Sequence, residues 1–127
     1  MPAYDDRLFA PPAPVARVVV RHPDREQSVG DVPMLIDSGA DATLLPRAAV
    51  ASLDLRGTGE RYQLVGFDGT VSESAAVLAS LTFLRWNCRG RYLLTDADVG
   101  VIGRDILNHL RLLLDGPASQ WEEHPYD

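Results

Sequence analysis

The 127-residue sequence contains no lysine, and all 12 of its basic residues are arginine. The absence of lysine excludes mechanisms that depend on its amine, namely a phosphate-binding P-loop, a Schiff base and a Ser-Lys dyad. Acidic residues outnumber basic ones by 18 to 12, which gives a net charge of -6. This balance, without a basic cluster, predicts no nucleic-acid partner and no docking to an anionic membrane surface.

Cysteine is almost absent, because Cys88 is the only one in the sequence. One thiol forms neither an internal disulfide nor a structural zinc site, which favours a reducing, cytoplasmic location. Residues 1–14 lack the order of a signal peptide, and no apolar run reaches the roughly 20 residues of a membrane span. His22, His109 and His124 lack metal-ligand spacing. We therefore expect no metal site.

Short segments rich in β-branched and aliphatic residues dominate the rest of the chain, and such segments favour strands. They are residues 15–21, 31–36, 61–65, 70–83, 92–95, 99–102 and 111–114. Leu112, Leu113 and Leu114 are interpreted most simply as core. Residues 103–110 predict a short C-terminal helix with Asp105 as its N-cap. A second short helix is expected after Pro46.

This pattern predicts a single mostly β domain over residues 15–116, built as a closed, barrel-like unit. Residues 1–14 are rich in proline and alanine and predict an extended arm. Residues 117–127 are polar and acidic and predict a tail outside the domain.

Residues 34–43 (MLIDSGADAT) carry the clearest chemical signal. An apolar strand leads to the carboxylate of Asp37, and Ser38 and Gly39 follow in a tight turn. Glycine permits backbone conformations that a Cβ would hinder. The alternative is that Asp37 only caps backbone N–H groups after a strand.

A second motif, residues 101–107 (VIGRDIL), leads from two apolar residues through a glycine into the predicted helix. Between the two motifs, residues 66–69 (GFDG) interrupt two strand-like segments and predict a β-hairpin turn. A single short motif matches by chance, but two in this order and spacing are specific.

With these two motifs, residues 15–114 closely resemble the retropepsins, the single-domain aspartic proteases of retroviral type. The resemblance implies a retropepsin-like half-barrel that is completed as a homodimer. It makes Asp37 the catalytic carboxylate, flanked by Ser38, which would bond across the two-fold axis, and Gly39, whose backbone would face the substrate. Ala40 and Asp41 would line the substrate cleft.

The resemblance also assigns supporting roles. Ile102 and Gly103 would pack beside the catalytic loop, and Arg104 would pair with Asp41. Independently of the resemblance, we interpret the charges of Asp41, Arg104 and Asp105 as a structural ion-pair cluster that holds the loop.

The turn containing Gly66, Phe67, Asp68 and Gly69 would be a flap that closes over a bound peptide. An ordinary hairpin is the alternative for this turn.

The chemistry implied by the family explains why one motif predicts a dimer. Peptide hydrolysis by this route needs two neighbouring carboxylates that share one proton, and it needs no metal and no cofactor. The chain has one DSG, so an identical chain must supply the second Asp37. The predicted function is therefore an aspartic endopeptidase acting on a protein or peptide substrate. The alternatives are a catalytically silent peptide-binding or dimerisation module and a ligand-sensing domain.

Overall fold

A computed structural model describes residues 2–66 and 68–124 of the chain. Its strands are β1 (Tyr4–Asp5), β2 (Ala13–Arg21), β3 (Ser28–Ile36), β4 (Leu44–Pro46), β5 (Gly57–Val65), β6 (Val71–Phe83), β7 (Trp86–Thr95), β8 (Gly100–Ile102), β9 (Leu112–Asp115) and β10 (Gln120–Glu123). The helices are α1 (Arg47–Val50), which continues into a 3₁₀ turn at Ala51–Leu53, and α2 (Arg104–Leu107). The mostly β prediction is confirmed.

The strands β2, β3, β8, β4, β7 and β6 form a closed ring in that order, because β2 pairs with both β3 and β6. Strands β1 and β5 pair with β2 and β6 outside this ring. Most pairs are antiparallel, whereas β3 with β8 and β4 with β7 are parallel. The fold is therefore the barrel-like unit that the pattern predicted.

Alternating side chains fill the barrel. In β2, Val18 and Val20 are buried, whereas Arg17 and Arg21 are exposed, as the two-residue period of a strand requires. The strands β3, β4, β6, β7 and β8 contribute inward-facing residues in the same way. The core includes Val18, Val20, Val32, Met34, Leu45, Val77, Ala79, Leu81, Tyr92, Ile102 and Ile106.

The N-terminal arm and the C-terminal tail pack on one another. Trp121 of β10 is 1% exposed, and its ring stacks on Phe83 at 5.9 Å between centroids. Its backbone N–H donates to the carbonyl of Pro2 at 3.0 Å, and the N–H of Tyr4 donates to Ser119 at 2.8 Å. The domain boundaries at residues 14/15 and 116/117 stay a prediction, but the flanking segments share the core as far as they are described.

The strand after α2 is less buried than a core strand. Leu112 packs against the core, whereas Leu113 is 44% and Leu114 is 52% exposed. Among the described strands, β9 pairs with β10 alone. The interpretation of residues 112–114 as core was therefore wrong for two of the three leucines, because β9 lies at a sheet edge and not in the barrel.

Candidate active site

The residues 37–43, which join β3 to β4, form what we call the DSG loop. The strand β8 lies between β3 and β4 and so determines the position of this loop. The two strands that flank the loop do not pair with each other; each pairs with β8. The N–H of Asp37 donates to the carbonyl of Ile102 at 3.1 Å. The two sequence motifs therefore meet directly, and the loop leaves the barrel beside β8.

Within the loop, the backbone folds around the carboxylate of Asp37. Its Oδ1 accepts a hydrogen bond from the N–H of Gly39 at 2.9 Å, and its carbonyl accepts one from Ala40 at 3.1 Å. A Cβ at Gly39 would lie 3.1 Å from Asp37 Oδ1, so glycine leaves the carboxylate room. Asp37 is half-buried, while Ser38 and Gly39 are exposed at the tip of the loop.

Arg104 holds the DSG loop through three hydrogen bonds. Its Nη1 donates to the carbonyl of Ser38 at 2.8 Å, its Nη2 pairs with Asp41, and its backbone N–H donates to Ala40 at 2.9 Å. The ion pair expected between Asp41 and Arg104 is present. Both side chains are substantially exposed, so the pair adds little stability and acts mainly to fix the shape of the loop.

A buried hydrogen-bond network anchors the end of the loop. Thr43, which is fully buried, donates its hydroxyl to Asp105 Oδ1 at 2.7 Å and its backbone N–H to Oδ2 at 3.0 Å. The same hydroxyl accepts from the N–H of Gly103 at 3.1 Å. The network thus ties the DSG loop to the start of α2.

The structure corrects the predicted N-cap. Gly103 occupies the N-cap position of α2, and Asp105 lies in the first helical turn. The carboxylate of Asp105 is directed to Thr43, and its Oδ1 also accepts from the N–H of Ile106. The sequence pattern missed this because a capping rule considers only local partners, whereas the partner lies 62 residues away.

Thr43→Val is expected to destabilise the fold by about 2 kcal/mol. The change keeps the shape of the side chain but leaves the N–H of Gly103 and one oxygen of Asp105 without their shared partner. Denaturant unfolding of the wild type and the variant measures this difference. Thr82→Val, at a half-buried position of β6 outside this network, is the matched control. Equal losses in the two variants would contradict a special role for Thr43.

The hairpin formed by β5 and β6 ends in the turn that was predicted as a flap. Gly66 and Thr70 close the turn with an N–H to carbonyl bond of 2.9 Å, and Asp68 Oδ1 accepts from the N–H of Thr70 at 3.0 Å. Gly69 has a φ of 81°, which favours glycine. Hydrogen bonds from Thr70 lower the pKa of Asp68, so its carboxylate stays ionised. Phe67 lies outside the described residues.

An open cleft of about 610 Å³ separates the DSG loop from this hairpin. Of the predicted substrate-binding residues, Ala40, Asp41 and Gly66 line it, together with Gly39. Sequence reasoning missed most of its wall. The missed residues are Ala42, Leu44, Tyr62, Gln63, Leu64, Val65, Thr70, Ser72 and Leu93.

The outer part of the hairpin separates from the barrel at Ser74. Regular pairing of β6 with β7 ends at Ala76 and Leu93, where β7 continues alongside β4. Beyond that point, the Ser74 hydroxyl donates to the carbonyl of Leu94 and accepts from its N–H, both at 2.9 Å. Ser74 is 2% exposed. The Ser74 hydroxyl therefore takes the place of the backbone hydrogen bonds that would otherwise continue the pairing of β6 with β7 beyond Ala76.

Other reactive groups do not join this site. Cys88 is half-buried, and burial followed by the charge of Asp105 raises the pKa of its thiol, which disfavours a thiolate nucleophile. Within residues 2–66 and 68–124, no group of histidine, cysteine and acidic side chains is arranged to hold a metal ion. Over the same residues, none of the helices is both long and apolar enough to cross a membrane.

The chain is similar to known proteins in both sequence and fold. A family model described as aspartyl protease matches residues 26–106, so the chain belongs to that family. Among solved structures, the retroviral EIAV protease in complex with the inhibitor HBY-793 is similar, with 26% identity and a TM-score of 0.57. The match covers 76% of this chain and 86% of that chain. No curated protein matches the chain. The predicted retropepsin-like family and fold are confirmed.

Proposed function

We propose that the protein is an aspartic endopeptidase that acts as a symmetric homodimer with Asp37 of each chain in a shared site. The observation that carries this proposal is the DSG loop itself. It holds a half-buried carboxylate next to an open cleft whose far wall is a hairpin. An extended peptide fits such a cleft, because a β-hairpin offers backbone groups to a strand-like ligand.

The chemistry follows from two carboxylates held close together. Like charges at short range do not both ionise easily, so the pair shares one proton. The ionised Asp37 takes a proton from a water molecule, which attacks the scissile carbonyl, while the protonated Asp37 gives its proton to the carbonyl oxygen. The C–N bond of the resulting diol then breaks, as one Asp37 donates a proton to the departing amine and the other takes a proton from a hydroxyl of the diol. The exposed tip of the loop, Ser38 and Gly39, leaves room for the second chain to approach.

The hairpin turn of residues 66–70 would serve as the flap. Beyond Ala76, the outer part of β6 is held to β7 by the Ser74 side chain and not by regular backbone pairing, which lets the turn move relative to the DSG loop. Closure over a peptide would exclude water from the cleft and strengthen polar contacts there.

The exposed leucines of β9 supply an apolar surface for the second copy. A sheet edge with apolar side chains on both faces is suited to pairing with another chain, and a symmetric dimer requires one self-complementary surface. Leu113 and Leu114 are both exposed on this edge. They lie downstream of α2, the helix whose Arg104 holds the DSG loop.

The double variant Leu113→Ser, Leu114→Ser is expected to raise the dimer dissociation constant about 30- to 100-fold, because it removes two apolar side chains from the proposed interface. Sedimentation measured over a concentration series tests this. The matched control is Leu8→Ser, since Leu8 is also about half exposed. A double variant that dimerises as tightly as the wild type would place the interface elsewhere.

The function is tested with a diverse peptide library, incubated with the wild type from acidic to neutral pH and analysed by mass spectrometry. Cleavage at defined sites is the expected result. Binding of HBY-793, the inhibitor seen with EIAV protease, is measured in parallel by calorimetry. Binding of the inhibitor without cleavage of any peptide would favour the silent peptide-binding module. Neither binding nor cleavage by a folded dimer would contradict the proposal.

A further inference from the structure

Tyr62 projects from β5 into the wall of the cleft. In the sheet it lies opposite Ser74, while Leu64 lies opposite Ser72, and paired residues share a face. Leu93, opposite Ala76, is on that same face. The rings and aliphatic groups of Tyr62, Leu64 and Leu93 therefore form one side of the cleft, and Tyr62 is 39% exposed.

A pair of charged side chains holds the Tyr62 ring in place. The Tyr62 hydroxyl donates to Glu60 Oε2 at 2.6 Å, and Glu60 Oε1 pairs with Arg91 of β7. Arg91 lies opposite Leu78 on β6, so it reaches Glu60 across the intervening strand. We call Glu60, Tyr62 and Arg91 the cleft-rim cluster.

An irregularity in β5 makes this contact possible. The register between β5 and β6 shifts between Gly57, opposite Val77, and Arg61, opposite Ala75. The extra residues form a bulge in which Gly59 has a φ of 85°. The bulge changes the direction of β5 just before Tyr62. This change places the carboxylate of Glu60 between the phenol of Tyr62 and the guanidinium of Arg91.

We propose that Tyr62 determines which substrate side chains the cleft accepts and that Glu60 and Arg91 position its ring. The inference rests on the proposed protease function, which it deepens. Hydrogen bonds from Tyr62 and Arg91 lower the pKa of Glu60, so the carboxylate that holds the ring stays ionised in mildly acidic solution.

The cluster leaves the cleft suited to an apolar side chain. The carboxylate of Glu60 is matched by Arg91, and that of Asp41 by Arg104, so neither acid presents an uncompensated charge. The other residues of the cleft wall are uncharged. Ala42, Leu44, Leu64, Val65 and Leu93 make the wall largely apolar together with the aromatic ring, whereas Gln63, Thr70 and Ser72 add neutral polar groups. The position of the ring thus limits the size of the apolar side chain that fits there.

Tyr62→Ala is expected to shift the preference toward bulkier apolar side chains by about tenfold. The measured quantity is the ratio of kcat/KM for two peptides that differ only in a Trp or a Val at the position facing the ring. A loss of stability alone would lower both values together and leave the ratio unchanged. Arg61→Ala is the matched control, since Arg61 is exposed on β5 and its neighbour in sequence faces the cleft. An unchanged ratio in Tyr62→Ala would overturn the proposal.

Glu60→Gln and Tyr62→Phe test the positioning. Both keep the ring but weaken its attachment, so we expect KM to rise about two- to fivefold for peptides with an apolar side chain at this position, with kcat nearly unchanged. A fall in kcat with unchanged KM would overturn the positioning role of Glu60.

Peptide affinities of two proteins, Asp37→Asn and the double variant Asp37→Asn, Tyr62→Ala, separate this inference from the proposed function. If the wild type cleaves nothing, the protease proposal fails, but the affinities of the Trp and Val peptides for Asp37→Asn still report on the cleft. A preference that shifts toward Trp when Tyr62→Ala is added would support the role of Tyr62 by itself. Equal relative affinities with and without Tyr62→Ala would overturn it.

Discussion

Asp37→Asn is expected to lower peptide cleavage by about three orders of magnitude or more while leaving the fold intact. An amide cannot take a proton from water at this site, and general acid–base catalysis alone accounts for a factor of about 10²–10⁴. The amide oxygen can still accept the hydrogen bond that Gly39 now donates to Asp37 Oδ1, so the loop is retained. Cleavage rates on a peptide selected from the library, together with unfolding curves, measure both effects.

The control for this variant is Asp54→Asn. Asp54 is exposed and has a φ of 48°, a conformation that asparagine tolerates well, so neither activity nor stability should change. Cleavage by Asp37→Asn at the wild-type rate would remove Asp37 from the mechanism.

Mixing the wild type with Asp37→Asn tests whether the site is shared. After subunit exchange at equal concentrations, about one quarter of the dimers contain two wild-type chains, because pairing of nearly identical chains is random. Only these dimers have both carboxylates, so activity should fall to about half of that given by the same amount of wild type alone. Activity that does not change on mixing would show that one chain suffices.

Gly103→Ala is expected to destabilise the protein by about 3 kcal/mol and to reduce activity in the fraction that remains folded. A Cβ at this position would lie 2.6 Å from the carbonyl carbon and oxygen of Ala42 and 2.9 Å from its nitrogen. These are backbone atoms of the DSG loop, which cannot withdraw without breaking the bonds that Thr43 and Arg104 make. Overpacking of this kind is costly because the interior is already close-packed.

Gly30→Ala is the matched control, because no heavy atom lies within 4 Å of a Cβ built at Gly30. Its free energy of unfolding should stay within about 0.5 kcal/mol of the wild type. Denaturant unfolding measures stability, and kcat/KM of the folded protein measures the displacement of the loop. A Gly103→Ala protein as stable and active as Gly30→Ala would mean that the loop yields to the added methyl group.

The residues of the DSG loop could be predicted from the sequence because their constraints are local. Asp37 and Gly39 are joined by a hydrogen bond across two residues, and the turn needs a small residue beside the carboxylate. The β-branched and aliphatic segments likewise favoured strands, since alternation within one strand already separates an inner from an outer face. The limits of the strands were less predictable. The sequence pattern predicted a strand over residues 92–95, whereas β7 already begins at Trp86.

The sequence by itself determined that a strand delivers Asp37 into a tight turn, that the chain is mostly β, and that its two motifs resemble one family. The tertiary structure alone decided which residues form the cleft wall, that Asp105 anchors Thr43, and that Trp121 of the polar tail is buried. The physical reason is distance along the chain. Tyr62 and Arg91 bind the same carboxylate, that of Glu60, only because a bulge and the register of three strands bring them together, and the residues of one strand alone do not specify this arrangement.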